Sequence, residues 1–307
     1  MDRFNRKKLY ASALSYFIPL NRIYDNKKNC LINYNIKQLR IYNSYSIDNL
    51  NEFILQGICI VDNYILLTAY DENHHNNSIV YVLNNYKIVN ICELYNNAHV
   101  GGIAYDITHD LIWITDKKGT ISSYNKCDIL QNKSAEPIFK RIDVSSGLVN
   151  VYGNLACAYI CINNDKLYVG NYANKKPILK EYPIEKDGTI NLNEEKNYLF
   201  CKYVQGITFL NINNDTYLLI SSSRGRIINS IISIYHFNEN NFNIYDNKRI
   251  ILNLPPMSEQ ITITDNNELL VVFESNAKKY QRTAGTKTDD LVLLDISNII
   301  KNISLLK

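Results

Sequence analysis

The sequence lacks long apolar runs and lacks an excess of charge of either sign. No stretch of about 18 consecutive apolar residues is present, so we predict no membrane span. The 33 basic and 30 acidic residues are interspersed, and a formal net charge of +3 is too small and too mixed for a surface that follows a phosphate backbone. We therefore predict a chain that binds neither nucleic acid nor the membrane interior.

Common catalytic and metal-binding signatures are also missing. The chain has no G-x-S-x-G, G-x-G-x-x-G, P-loop or H-E-x-x-H pattern, and its seven cysteines form no C-x-x-C pair. Most of these cysteines lie in apolar runs, where a thiol acts as a small hydrophobic group. The apolar stretch near the N-terminus is interrupted by Tyr, Ser and Pro without a small-x-small cleavage site. We predict no signal peptide, and the odd cysteine count favours a cytoplasmic over a secreted location.

Glycine and proline are scarce, at 11 and 6 residues, whereas asparagine occurs 44 times and concentrates in short turns between apolar strands. Five segments share one opening, in which an apolar run enters a small or polar pair; they are Leu55-Gln56-Gly57-Ile58, Val100-Gly101-Gly102-Ile103, Leu155-Ala156-Cys157-Ala158, Val204-Gln205-Gly206-Ile207 and Ser258-Glu259-Gln260-Ile261. After each opening we predict a hairpin with an Asn- or Asp-rich turn, because these residues tolerate left-handed backbone. The second strands are predicted at 64–70, 111–116, 166–172, 217–223 and 268–275.

Third and fourth strands complete the repeat. Third strands are predicted at 78–83, 119–124, 177–184, 230–237 and 291–296, and fourth strands at 86–94, 138–144, 197–203 and 248–254. Units of four short strands at this spacing are typical of β-propeller blades. We predict an all-β protein forming one five-bladed propeller of antiparallel strands, with six blades as the alternative.

The two ends of the chain are expected to complete the fold together. The last unit has only a weak fourth strand at ISLLK, and the segment 30–45 supplies one or two strands. We predict that residues 1–53 form an N-terminal segment whose strand closes the ring. Residues 54–307 then carry the blades, and the whole chain is one domain and a monomer.

In a propeller the residues that enter each innermost strand line one end of the central channel. The repeat places Gln56, His99, Gln205 and Glu259 at or near equivalent points, so we expect them to converge there. A buried carboxylate requires a cation, a metal or hydrogen bonds, or its pKa rises and it becomes a general acid or base. Glu259 and His99 are the predicted acid/base groups, and Gln56 and Gln205 are predicted to contact the substrate.

The segment SSSRGRIINS at 221–230 combines hydroxyl groups with two arginines, a composition suited to carboxylate or phosphate oxygens. We predict that Ser223 and Arg226 hold an anionic group. A second ring is expected from the ends of the second strands, which adds Tyr70 and Glu274 as substrate-binding residues. A structural role remains open for each of these residues. The arginines can be solvated side chains of a strand-connecting loop, and the others can be core residues whose hydrogen bonds are satisfied.

No metal ligand set can be assigned from the sequence. Calcium prefers oxygen ligands, but no D-x-D-x-D-G run is present. An axial Ca²⁺ held by Glu259 with the amide oxygens of Gln56 and Gln205 is retained as an expectation.

Two units, LQGICIVDNYILLTAYDENHHNNSIVYVL and VQGITFLNINNDTYLLISSSRGRIINSIISIYHF, resemble the repeated blade of bacterial lactonase-like and arylesterase-like propellers. They are also similar to five-bladed plant-type glutaminyl cyclases, and the likeness covers most of residues 54–296. The cyclase resemblance implies an acid/base carboxylate at Glu259 and channel amides at Gln56 and Gln205, although the tryptophans of that family are missing. The lactonase resemblance implies an axial calcium, for which this chain supplies only part of the ligand set.

Two functions remain open on the sequence alone. One is a channel site that binds a small or peptide-like anionic ligand and acts as a hydrolase or cyclase through Glu259 or His99. The other is a non-catalytic scaffold that binds a protein or peptide on one face. The residues do not decide whether the protein is an enzyme.

Overall fold

The computed structural model describes residues 29–36, 39–47, 52–175 and 177–307. The prediction about a signal peptide concerns residues 1–28 and lies outside this part of the chain. Contacts divide the molecule into two compact units, one of residues 50–206 and one of residues 207–307 with the described residues before 50. Within the described ranges no helix is both long and apolar enough to cross a membrane.

The described N-terminal residues form two strands, β1 (Cys30–Asn35) and β2 (Ile41–Tyr45). Residues 50–206 then fold into three four-stranded sheets. Sheet 1 consists of β3 (Phe53–Val61), β4 (Tyr64–Asp71), β5 (Ile79–Asn84) and β6 (Lys87–Glu93). Sheet 2 consists of β7 (Ile103–Asp106), β8 (Leu111–Thr115), β9 (Thr120–Asn125) and β10 (Phe139–Asp143). Sheet 3 consists of β11 (Tyr159–Asn163), β12 (Lys166–Gly170), β13 (Ile178–Pro183) and β14 (Lys196–Leu199).

The second unit contains sheet 5 and, from residue 207 onward, sheet 4. Sheet 4 consists of β15 (Val204–Ile212), β16 (Asp215–Ser222), β17 (Ser230–His236) and β18 (Arg249–Leu254), and β1 adds a fifth strand parallel to β18. Sheet 5 consists of β19 (Ser258–Ile263), β20 (Glu268–Phe273) and β21 (Leu291–Asp295), and β2 pairs antiparallel with β21. The N-terminal segment thus completes the last sheet, as the sequence predicts. Its first strand extends sheet 4.

Five sheets of successive antiparallel strands make this fold a five-bladed β-propeller, which confirms the predicted fold class. Every predicted second, third and fourth strand from 64 to 296 coincides with an observed strand to within a few residues. The repeat is readable because strands buried on both faces give short apolar runs, and polar turns separate them.

The hairpin turns have the predicted backbone. Asp62, Asp110, Asn164, Asn214 and Asn267 all have φ between 51° and 65°. These values lie in the left-handed region, where Asn and Asp cost less than other residues with a side chain. Asparagine and aspartate therefore take the positions that glycine occupies in many hairpins.

The C-terminal segment differs from its prediction as a weak strand. It forms helix α2 (Ser297–Asn302), which continues into a 3₁₀ turn at Ile303–Leu306; α1 (Lys126–Gln131) is the other α-helix of the described residues. Ile299, Ile303 and Leu306 are buried in the core of sheets 4 and 5. Their spacing places them on one face of a helix, and β2 already occupies the outer position of sheet 5.

Sheet 3 contains a buried charged group, Lys180, whose side chain is 2% exposed. Its ammonium group lies 2.5 Å from Glu195 Oε2, and the Tyr182 hydroxyl donates to the same oxygen at 2.6 Å. Glu195 is half-buried. The Glu195 carboxylate therefore compensates the positive charge of the buried Lys180.

Glu195→Gln should therefore destabilise the protein, because it leaves the buried ammonium of Lys180 without its carboxylate. Removing one partner of a buried ion pair costs about 3–5 kcal/mol. We expect a loss in that range in the free energy of unfolding, measured by chemical denaturation. Glu194→Gln, at an exposed neighbouring carboxylate, is the matched control and should stay within about 0.5 kcal/mol of wild type. Equal stability of the two variants would contradict a charged Lys180.

Candidate functional site

The innermost strands of sheets 1 and 5 carry a β-bulge at the same place. In sheet 1 the pairing shifts between Leu55 and Ile58, and in sheet 5 it shifts between Ser258 and Ile261. Each bulge thereby holds the predicted residue, Gln56 in β3 and Glu259 in β19. Bulges redirect a side chain out of the regular alternation and are common beside functional sites. The equivalence of Gln56 and Glu259 expected from the repeat is therefore present in the backbone.

Glu259 is buried, at 3% exposure, and its carboxyl group hydrogen-bonds that of Glu274. Glu274 follows the end of β20 and is half-buried. Burial raises the pKa of Glu259 well above its ordinary value, and the neighbouring charge and hydrogen bond of Glu274 raise it further. Two carboxyl groups this close cannot both ionise easily, so the contact favours a proton held by the pair.

Buried hydroxyl groups surround the backbone that leads into Glu259. Ser258 and Ser221 hydrogen-bond through their side chains at 3.0 Å, and the Ser258 amide donates to Ser230 Oγ at 3.1 Å. The Met257 amide donates to Ser223 Oγ at 3.1 Å. These bonds tie the ends of sheets 4 and 5 together at the start of β19. The predicted residue Ser223 thus supports the strand that carries Glu259.

Met257 has left-handed backbone, with φ of 69°, and its carbonyl accepts the Glu274 amide at 3.2 Å. An unbranched residue in this conformation costs on the order of 1 kcal/mol. Its bonds to Ser223 and Glu274 hold it there, and they connect the start of β19 to the backbone of Glu274. The sequence contains no signal for this conformation.

Arg226 lies at the same end of sheets 4 and 5, on the loop between β16 and β17. Its guanidinium group lies 4.8 Å from the ring centroid of Tyr280, and Nη1 donates to Thr283 Oγ1 at 2.9 Å. The Gly285 amide donates to the Arg226 carbonyl at 2.7 Å. Arg226 therefore contacts the loop that begins at Glu274, and this unit brings Ser223, Arg226, Glu259 and Glu274 to one end.

Sequence reasoning missed a second buried carboxyl group in this unit, Asp290. Its Oδ2 accepts the Ile47 amide at 2.8 Å, and Asn276 Nδ2 lies 3.3 Å from the same oxygen. Burial raises the pKa of Asp290 to about 7, against the lowering effect of these bonds. Asp290 lies at the end of the loop that begins at Glu274.

The other predicted residues belong to the unit of residues 50–206. Tyr70 is buried, and its ring centroid lies 4.3 Å from that of the exposed His99 and 5.2 Å from that of His74. Two predicted residues, Tyr70 and His99, are thus in direct contact, and His74 joins them from the exposed loop after β4. The three rings form one aromatic group.

Gln56 and Gln205 also belong to the unit of residues 50–206, where their side chains differ in burial. Gln56 Nε2 donates to the carbonyl of Leu55 at 2.8 Å, and the Gly57 amide donates to Thr68 Oγ1 at 2.8 Å. Gln205 is the second residue of β15 and is half-buried. The convergence of all eight predicted residues on one central site stays a prediction.

Carboxylates elsewhere in this unit support turns. Asp106 accepts the amides of Thr108 and His109 at 3.1 and 3.2 Å, and Asp116 accepts the amide of Lys117 at 2.6 Å. All seven cysteines are free thiols. Across the described residues, no three or more His, Cys, Asp or Glu side chains are grouped as metal ligands.

Comparison with known proteins supports the fold. No protein-family model and no curated protein matches the chain. A protein described as an oxidoreductase (glucose dehydrogenase) from Thermus thermophilus has a TM-score of 0.50 at 9% identity, over 84% of this chain and 100% of that one. An α-L-arabinofuranosidase from Clostridium thermocellum has a TM-score of 0.50 at 7% identity, over 80% and 90%. The WD40 β-propeller domain of Doa1 has a TM-score of 0.39 at 12% identity, and the match spans 77% of this chain and 62% of that domain. At 9% and 7% identity, the likeness to the first two structures concerns the fold alone.

Proposed function

We propose that the propeller binds a small or peptide-like anionic ligand at the end of sheets 4 and 5, beside the Glu259–Glu274 pair, and that Glu259 transfers a proton in a hydrolysis or cyclisation. The observation that carries the proposal is the hydrogen bond between Glu259, which is buried on a β-bulge, and the half-buried carboxyl group of Glu274. A structural core gains nothing from two acids in contact, because each incurs a desolvation cost that an apolar pair avoids.

The pair supplies both forms needed for acid/base catalysis. A protonated Glu259 donates its proton to a leaving oxygen or nitrogen, and the carboxylate that remains accepts a proton from water or an amine. A pKa raised toward the working pH makes each transfer efficient near neutrality. The sequence resemblance to glutaminyl cyclases implies an acid/base carboxylate at the same residue.

An anionic group of the ligand is proposed to meet Arg226 and the hydroxyl of Ser223. The partners of Arg226 in the structure include Tyr280 and Thr283, which carry no charge, so its positive charge is available to an anion. In residues 50–206 we propose Gln56, Tyr70 and Gln205 as further ligand contacts and His99 as a second proton-transfer group. The bulge at Gln56 and the ring contact of Tyr70 with His99 support these roles.

The test is a screen of the wild-type protein on esters, lactones and peptides with N-terminal glutamine, each with and without added Ca²⁺. We expect turnover of at least one class without Ca²⁺, because the pair works through a shared proton. Turnover that requires Ca²⁺ would contradict the protonated pair and support the axial calcium site. Absence of turnover on all three classes would overturn the catalytic proposal in favour of a scaffold that binds a protein or peptide.

A further inference from the structure

Two neighbouring loops of sheets 4 and 5 are strongly cationic. They comprise residues 223–229 and 275–288, and we call them the cationic loop pair. Neither stretch contains an acidic residue. Both carry exposed basic side chains, namely Arg224, Arg226, Lys278, Lys279, Arg282 and Lys287. Six cations in two short loops contrast with a net charge of +3 for the whole chain, so the positive charge is concentrated here.

The loops are fixed to one another. Arg226 contacts Tyr280 through a cation–π interaction at 4.8 Å and donates to Thr283 Oγ1 at 2.9 Å. The Gly285 amide donates to the Arg226 carbonyl at 2.7 Å. Loop 275–288 also forms its own turns, with the amides of Gln281 and Ala284 donating to carbonyls four residues earlier. A preorganised arrangement loses less conformational entropy when it binds a partner.

The carboxylates at the borders of the loops point to other groups. Asp289 accepts the hydroxyls of Ser44 and Ser46 at 2.6 and 2.9 Å. Asp290 is buried, and Glu274 hydrogen-bonds Glu259. Because neither loop contains an acidic residue and these carboxylates bond other groups, the two loops carry a net positive charge.

We propose that the cationic loop pair docks an acidic peptide segment of a partner protein. The cations are spread over two loops, which exceeds what a single small anion can contact and suits successive carboxylates along an extended peptide. Nucleic acid fits less well, because single strands also need exposed aromatic faces for stacking. Tyr280 is the one aromatic residue in the two loops, and Arg226 and Lys279 both lie against its ring. The docking surface does not depend on catalysis by Glu259.

The test is binding of a fluorescein-labelled oligoglutamate, measured by fluorescence anisotropy at an ionic strength where the Debye length is about 8 Å. We expect saturable binding that weakens with added salt. The double variant Arg282→Glu/Lys287→Glu should weaken binding by about tenfold, since each reversal replaces an attraction with a repulsion. Neither side chain takes part in the bonds described above that hold the two loops together, so we expect the loops to keep their fold. Lys186→Glu/Lys301→Glu, at exposed lysines on other elements, is the matched control and should bind within about twofold of wild type.

Three results would overturn the proposal. They are the absence of oligoglutamate binding, an equal loss in both double variants, and tighter binding of an oligouridylate of the same charge, which would make nucleic acid the partner. Because this assay measures binding alone, its failure is distinct from the absence of turnover in the substrate screen. A protein that binds oligoglutamate but turns over no substrate would support the docking surface and reject the catalytic proposal.

Discussion

Glu259→Gln is expected to lower kcat/KM by about 10²-fold or more on any substrate that the screen identifies. The amide keeps the size of the side chain and one hydrogen bond to Glu274, but it cannot release or take up a proton. The loss should lie mainly in kcat, because the variant removes proton transfer while leaving ligand contacts in place. Steady-state kinetics of the two proteins provide the measurement.

The matched control is Glu268→Gln, which removes a half-buried carboxylate from the same sheet away from the pair. Glu268 lies at the start of β20, at the opposite end of that strand from Glu274. We expect its kcat/KM to stay within about twofold of wild type. Equal activity of Glu259→Gln and Glu268→Gln would contradict an acid/base role for Glu259.

Stability should fall as the pH rises from about 5 to about 8, opposite to the trend of an ordinary paired carboxylate. Burial raises the pKa of Asp290 to about 7, and it raises that of Glu259 well above its ordinary value. The folded protein therefore holds protons that the unfolded chain releases at about pH 4. This contribution is fully present below the unfolded-state pKa and is lost as the pH rises through the folded-state values. At about 1.4 kcal/mol for each pKa unit, Asp290 alone accounts for a few kcal/mol, and Glu259 adds to this in the same direction.

The measurement compares wild type with the double variant Glu259→Gln/Asp290→Asn in denaturant unfolding across this pH range. The variant should lack most of the decline, since both amides mimic the protonated groups. Carboxylates with a lowered pKa, such as Asp71 and Asp143, lose their stabilisation only at more acidic pH and do not mask the effect. Parallel pH profiles of the two proteins would show that neither carboxyl group is protonated in the folded state.

The strands and turns of this propeller are predictable from sequence because both signals are local. Apolar runs such as 64–70 and 217–223 are buried on both faces, and residues such as Asp62 and Asn164 occupy left-handed turns. The prediction of a weak strand in the C-terminal segment was wrong because the local sequence pattern there is ambiguous. Its apolar residues fit either a short strand or one face of a helix, and the pairing of β2 with β21 decides between them.

The contacts of the candidate site depend on long-range geometry. Glu259 and Glu274 are each visible as polar residues at strand ends, but their hydrogen bond follows from the bulge in β19 and from the register of β19 with β20. Asp290 is preceded by a polar loop that gives no sign of burial. The charge of residues 275–288 is readable from sequence, whereas its proximity to Arg226 requires the fold.

The central claim is that Glu259 holds a proton near neutral pH through burial and through its contact with Glu274. A pH titration of the glutamate side-chain carboxyl carbons by ¹³C NMR tests it most directly, with Glu259→Gln to assign the resonance. We predict that the Glu259 resonance is that of a protonated acid at about pH 7 and titrates well above the ordinary glutamate value of about 4.3. A titration midpoint near that ordinary value would contradict the account.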